Sequence, residues 1–291
     1  MIRPHPTISS VWELSGDGSF GGPRVGVIGA LHGNEVAGLR VIEQIRRNAE
    51  AFARHLRRGT LLLIHGNPRA TSEGRRFSSG GADINRLFAY HWLEDLAREA
   101  WTYEHHRALE LQPLMTGLDA MIDLHSASQP TVPFAICDGR PEGIALSRNT
   151  GCNVTYGWDG PGMLMGHVSI GALVAAGRPA ISIECGQHEG ADTSEVAFSV
   201  LTRFLGGLGV TDHETAESSG PAYELFGRVV KPTLHFRLSR NFASFDRLQA
   251  GQILGRGDDV TIVVDRDAYL LLPTPHAERG DDIVYLAHEV A

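Results

Sequence analysis

The stretch "GALHGNEVAGLR" (29–40) places His32 and Glu35 at the end of an apolar run, with Gly29 and Gly33 loosening the backbone beside them. An imidazole and a carboxylate both bind metals and both carry protons. A polar turn and half of a metal site fit this stretch equally well. Two further runs end in similar chemistry: "MIDL" leads into His125 and "ISI" leads into Glu184. Two histidines and one carboxylate make a three-ligand zinc set with a fourth position open to water. A zinc ion there lowers the pKa of its water and polarises a carbonyl. A separate carboxylate, Glu184, is then available to carry the proton from water to a leaving amine. Asp123 stands two residues before His125 and points the same way in an extended chain, so it can orient that ligand.

A second cluster is "GRRFSSGGADINRLF" (74–88), with Arg75, Arg76, Asp83, Asn85 and Arg86. One reading is a solvated basic loop before a helix start capped by Asp83 or Asn85. The other is a carboxylate clamp, because arginine grips a carboxylate through two parallel bonds and asparagine adds a donor. An arginine near a metal also stabilises the oxyanion formed when water attacks a carbonyl. Cys185 beside Glu184 admits a thiol nucleophile served by a nearby histidine. His188 is either a pocket residue or a loop histidine.

These groups need elements to converge. "RVGVIGAL" (24–31), "TLLLIHGNP" (60–68), "DAMIDLH" (119–125) and "PAISIECG" (179–186) read as buried strands. Val36, Leu39, Ile42, Ile45, Ala49, Phe52 and Leu56 recur at helical spacing until Gly59, with Asn34 as a cap and Glu35 in the first turn. Residues 70–84 read as a loop, 87–115 as one long helix and 194–206 as another. Strands alternating with helices give an α/β fold, a mostly parallel or mixed sheet covered on both faces. Ligands in such sheets sit at the carboxyl ends of the strands, where the candidate residues fall. "TDHETAESSGP" (211–221) reads as a linker, and short strand-like runs follow it. The expected division is a catalytic domain over 1–210 and a small all-β domain over 211–291. The stretch "GWDGPGMLMG" (157–166) reads as a loop able to act as a lid.

The totals exclude several classes. The 291 residues are 42% hydrophobic and 21% charged, as in ordinary globular chains. A net charge of -8 gives no basic footprint for nucleic acid. Three widely spaced cysteines, Cys137, Cys152 and Cys185, make neither a disulfide framework nor a CxxC site. No apolar run spans a bilayer and the start lacks a signal-peptide pattern, so the expected compartment is the cytoplasm.

The motifs "HGNE", "GNP", "RF…DINRLF", "DLH" and "IECG" occur in this order after successive strands. That order resembles the succinylglutamate desuccinylase and aspartoacylase family of zinc-carboxypeptidase-like hydrolases, over residues 25 to 205. The resemblance implies His32, Glu35 and His125 as ligands of one Zn2+ per chain and Glu184 as the general acid/base. It implies Asn85 and Arg86 as binders of the substrate carboxylate and Arg76, with Arg75 as its neighbour and rival, as the group polarising the scissile carbonyl. The implied reaction is deacylation of a small acidic N-acyl amino acid. A carboxypeptidase acting on peptides and a non-catalytic binding protein of the same fold are the alternatives. Val174 stands where the aspartoacylase branch carries an arginine for the substrate side chain, which argues against N-acetylaspartate. Cobalt, manganese or iron would also fit the ligand set.

Overall fold

The structure is a computed structural model and describes residues 1–16, 21–160, 162–163, 165–216 and 220–290. Its strands are β1 (Ile2–Pro4), β2 (Val11–Ser15), β3 (Arg24–Gly29), β4 (Thr60–His65), β5 (Ala120–Ala127), β6 (Phe134–Ile136), β7 (Asn153–Tyr156) and β8 (Ala180–Gln187). After them come β9 (Ala222–Val230), β10 (Arg237–Leu238), β11 (Arg247–Leu248), β12 (Ile253–Gly257), β13 (Val260–Val263), β14 (Ala268–Leu271) and β15 (Asp282–Val290). The helices are α1 (Ala37–Arg47), α2 (Ala49–Ala53), α3 (Pro68–Ser72), α4 (Trp92–Asp95), α5 (Tyr103–Thr116), α6 (Pro141–Arg148), α7 (Gly171–Ala175) and α8 (Thr193–Gly207).

The apolar runs form the centre of one 12-stranded sheet of order β1-β2-β4-β3-β5-β8-β6-β7-β9-β15-β14-β11. The four runs that carry the candidate residues and their support, β4, β3, β5 and β8, pair in parallel. Alternate residues point to opposite faces, and both faces are covered, so these strands are apolar without a break. Leu61 and Leu63 pack with Val41 and Ile45 of α1 and Phe204 of α8. Leu62 and Ile64 pack on the other face with Leu111 and Leu114 of α5 and Leu173 of α7. Strand β6 enters antiparallel to β8, and β9 joins β7 in parallel. The antiparallel C-terminal strands therefore extend the main sheet, while β10, β12 and β13 form a small sheet over a core of Phe236, Leu254, Leu270 and Ile283.

Helix α1 lies against the end of β3 because glycines permit it. A Cβ on Gly29 would stand 2.4 Å from the Gly38 carbonyl carbon, and one on Gly33 would stand 2.1 Å from that of Ala70. No side chain fits at either place.

Several expectations are corrected. Asn34 does not cap a helix: α1 begins at Ala37, and His32 to Val36 form a turn in which Glu35 N–H donates to the His32 carbonyl. The run from 37 to 56 is broken at Asn48, so α1 and α2 are separate. The single helix read over 87–115 is really α4, a 3-10 turn and α5, with Leu96 and Trp101 extended between them. The indoles of Trp92 and Trp101 explain the break. They donate to the Leu87 and Leu96 carbonyls and pack edge to face, 5.1 Å apart, satisfying groups that a helix would have bonded. The missed elements β6, α6, β7 and α7 lie between His125 and Glu184. The start of the 211–221 segment is anchored rather than free, since Asp212 binds His55 at 2.8 Å and Arg57 at 2.6 Å. Residues 217–219 lie outside the described residues. Among the described residues no helix is long and apolar enough to cross a membrane.

His65 closes β4 under the guanidinium of Arg107, which donates to the His65 carbonyl at 2.8 Å. Burial and then the Arg107 charge push the His65 pKa down from 6.5 to about 4. The unfolded chain thus takes up a proton below about 6.5 that the folded chain refuses until about 4. The contribution of His65 is complete above the upper value, is lost as pH falls through this window, and is flat below it. Urea denaturation at pH 7 and pH 4.5 measures this. The stability difference should shrink in His65→Gln, and an unchanged difference would contradict the assignment.

Candidate metal centre

Strands β3 and β5 end beside each other, and β5 holds His125 in register with Glu184 of β8. The turn after β3 brings in His32 and Glu35. His32, Glu35, His125 and Glu184 are all buried. Ligand atoms of His32, Glu35 and His125 lie within 4.8 Å of one another.

The orientation of the rings is informative. His32 Nδ1 lies 2.8 Å from Glu35 Oε1 and His125 Nδ1 lies 2.8 Å from Glu35 Oε2. Each outer nitrogen meets another carboxylate: His32 Nε2 is 3.0 Å from Asp83 Oδ1, and His125 Nε2 is 2.9 Å from Asp123 Oδ2. The second contact has the distance of a hydrogen bond but not its direction. Asp83, His32, Glu35, His125 and Asp123 thus form a chain of alternating carboxylates and imidazoles. Ser126 N–H donates to Glu35 Oε2 at 3.1 Å, and the Ser169 hydroxyl donates to Asp123 Oδ2.

Burial alone would raise the Glu35 carboxyl, yet His32 and His125 hold it well below its usual range. Burial would lower the His125 imidazole, yet Asp123 and Glu35 hold it well above. Asp83 is likewise opposed by burial and held low by Arg76 and His32. These residues fit a divalent metal. With a carboxylate beside each Nε2, the Nδ1 atoms of both rings face the Glu35 oxygens, the usual carboxylate–histidine–metal arrangement. Arg76 bonds two of the three carboxylates in this row, Glu35 and Asp83, and a divalent cation would add the positive charge that such buried carboxylates need.

Glu184 stands apart from the chain. Among the described residues its Oε2 is buried with no hydrogen-bond partner. Burial, then the Glu35 charge, raises its pKa from 4.5 to about 7. It is a carboxyl poised to take or give a proton near neutral pH.

The 74–88 cluster divides. Arg76 reaches the centre: Nη1 donates to Glu35 Oε1 at 3.2 Å, and Nη2 donates to Asp83 Oδ2 at 3.0 Å. Arg75 is exposed and does not. Asp83 is both the cap expected of it, accepting from Asn85 N–H at 2.9 Å, and the partner of His32. Asn85 Oδ1 accepts from Ser169 N–H at 2.8 Å, and one Arg86 nitrogen donates to the Asn85 carbonyl at 3.0 Å. Arg86 pairs with no carboxylate among the described residues.

His188 joins the site's edge through a 2.9 Å hydrogen bond between its Nδ1 and the Ser126 hydroxyl. Cys185 is buried and its thiol is pushed well above its usual range by burial, which removes it as a thiolate nucleophile. Arg178 donates to the Thr116 and Leu118 carbonyls, at the amino ends of the strands and away from the site. Of the 157–166 stretch, residues 161 and 164 lie outside the described residues, and Trp158 is buried against Tyr285 at 4.9 Å. The sequence had shown Asp83 only as a cap. Ser126 and Ser169 carried no signal, because their roles depend on strands and turns distant in the chain.

An α/β sheet with a His–Glu–His group at the carboxyl ends of its parallel strands defines the class. The Succinylglutamate desuccinylase/Aspartoacylase catalytic domain matches residues 21–203, and the chain belongs to this family. It is 28% identical over 280 residues to a succinylglutamate desuccinylase of Pseudomonas aeruginosa strain UCBPP-PA14, covering 86% of this chain and 79% of that protein. It is 30% identical over 110 residues to N-acyl-aromatic-L-amino acid amidohydrolase (carboxylate-forming) B of Danio rerio, covering 36% and 34%. The fold matches the crystal structure of succinylglutamate desuccinylase from Vibrio cholerae with a TM-score of 0.74 at 17% identity, covering 97% of this chain and 86% of that one.

The two arginines are separable by experiment. Arg76→Ala leaves Glu35 and Asp83 without their shared partner and should cost about 1–3 kcal/mol, a figure reduced for a side chain that is 43% exposed. Arg75→Ala should change stability by less than about 0.5 kcal/mol. Thermal denaturation of the metal-free variants measures both, and equal losses would contradict the geometry.

Proposed function

We propose that the protein is a zinc-dependent amidohydrolase that cleaves a small N-acyl amino acid to a carboxylate and a free amino acid. The observation that carries this reading is the buried, unpartnered Glu184 carboxyl beside the His32–Glu35–His125 group. The names of the matched relatives, a desuccinylase and an amino-acid amidohydrolase, support it.

His32, Glu35 and His125 would hold the zinc, and Asp83 and Asp123 would fix the two rings. When bound, the metal acidifies water and polarises the acyl carbonyl. This chain's residues do the rest. Arg86 and the Asn85 amide hold the substrate carboxylate. Glu184 takes a proton from the attacking water and returns it to the departing amine nitrogen. Arg76 swings its exposed guanidinium edge toward the oxygen that gains charge as the carbonyl becomes tetrahedral. Val174 packs half-buried against the core and Arg178 is occupied elsewhere, so this segment offers no second arginine for an acidic substrate side chain.

Amine release from N-acyl amino acids of varied acyl group and side chain tests the reading. Zinc-loaded protein should release amine from one class, and a chelator should stop it. Glu184→Gln should retain zinc and lose turnover about 100- to 10,000-fold. Turnover retained in that variant, or release from tripeptides alone, would overturn this reading.

A further inference from the structure

Glu104 is a fully buried carboxylate that the chemistry above does not use. It lies in the first turn of α5. Its Oε1 accepts from Ser78 N–H at 2.8 Å and from the Asn67 amide at 3.2 Å. Its Oε2 accepts from Ala82 N–H at 3.3 Å and from the Thr102 hydroxyl at 3.2 Å. Neutral donors supply all of these bonds. A buried carboxylate held only by neutral donors is costly unless each bond is kept, so the loop is tied to it firmly.

The loop is shaped around this carboxylate. A Cβ on Gly81 would stand 2.3 Å from Glu104 Oε2, so the glycine is required for space. The two residues that flank the tied segment are the ones that reach the centre. Arg76 binds Glu35 and Asp83, and Asp83 binds His32 Nε2. The start of the loop is fixed too, since Gly33 N–H donates to the Arg76 carbonyl at 3.1 Å.

We propose that Glu104 is a positioning residue: by gripping Ser78 and Ala82 it sets where Arg76 and Asp83 stand, and through Asp83 it orients His32 for metal. The proposal rests on the reading of His32, Glu35 and His125 as the zinc group. A carboxylate that merely stitched α5 to the sheet would affect melting alone. One that positions Asp83 affects zinc.

The experiment is zinc affinity by chelator competition on the full chain, with melting temperature recorded alongside. Glu104→Gln places an amide donor against the loop's N–H groups and should weaken zinc by about tenfold or more, as loss of a partner behind a metal ligand does. Asp83→Asn should weaken it similarly. The double variant should bind zinc about as well as Asp83→Asn alone, because both changes act through one contact. Gly81→Ala, which keeps the carboxylate but crowds its Oε2 and breaks its fit to the loop, should lower affinity in the same direction, and it and Thr102→Val decide the matter if Glu104→Gln does not fold. A lower melting temperature with zinc affinity within twofold of wild type would overturn the proposal, as would independent losses that multiply in the double variant. If wild-type protein takes up no zinc, the metal reading fails, and the loop claim is read instead from the 15N signal of Arg76 Nε–H. That signal should survive Arg75→Ala and vanish in Glu104→Gln. Its persistence in Glu104→Gln would also overturn the proposal.

Discussion

The site depends on one constraint: the Glu35 carboxylate is buried between two imidazoles whose far nitrogens are each backed by another carboxylate. Such a row of charges is unfavourable in a dry interior unless cations complete it. Arg76 supplies one, and a divalent metal would supply the rest. Much of the surrounding structure serves this arrangement. The register of β5 with β8 sets Glu184 beside His125, and the turn at His32–Glu35 exists because Gly29 and Gly33 let α1 and α3 approach closely.

Separation of roles follows from environment. Glu35 lies between two imidazoles and beside the Arg76 guanidinium and is held well below its usual range, whereas Glu184 Oε2 has no hydrogen-bond partner among the described residues and the group is raised to about 7. In the proposed mechanism these two glutamates on neighbouring elements would serve as a ligand and a proton carrier. The same logic explains why the thiol beside Glu184 plays no chemical part: burial keeps Cys185 protonated. It also separates Arg76, which pairs with Glu35 and Asp83, from Arg75, which pairs with no carboxylate among the described residues.

The strands and the residues at their ends were legible because burial on both faces writes long apolar runs, and the chemistry sits where those runs stop. Asp123 was legible as well, because alternation along an extended chain puts it on the His125 side. What was not legible lies in longer-range contacts. The helical pattern over 87–115 hid a break made by two tryptophan side chains that bond carbonyls in their own turns. Asn34 looked like a cap because its spacing suited a helix, yet the turn that shapes the site occupies that place. Asp83 looked like a cap and is one, but its bond to His32 crosses 51 positions of chain and leaves no local mark. Ser169, Ser126 and Glu104 likewise act across 22 to 91 positions.

The central claim is that His32, Glu35 and His125 bind one metal ion. Metal analysis of protein stripped, reloaded with zinc and dialysed tests it most directly, with His32→Ala and Glu35→Gln treated alongside. The expected result is one zinc per wild-type chain and loss of that zinc in both variants, with the fold retained by circular dichroism. Zinc absent from the wild type, or retained in full by either variant, would contradict the account.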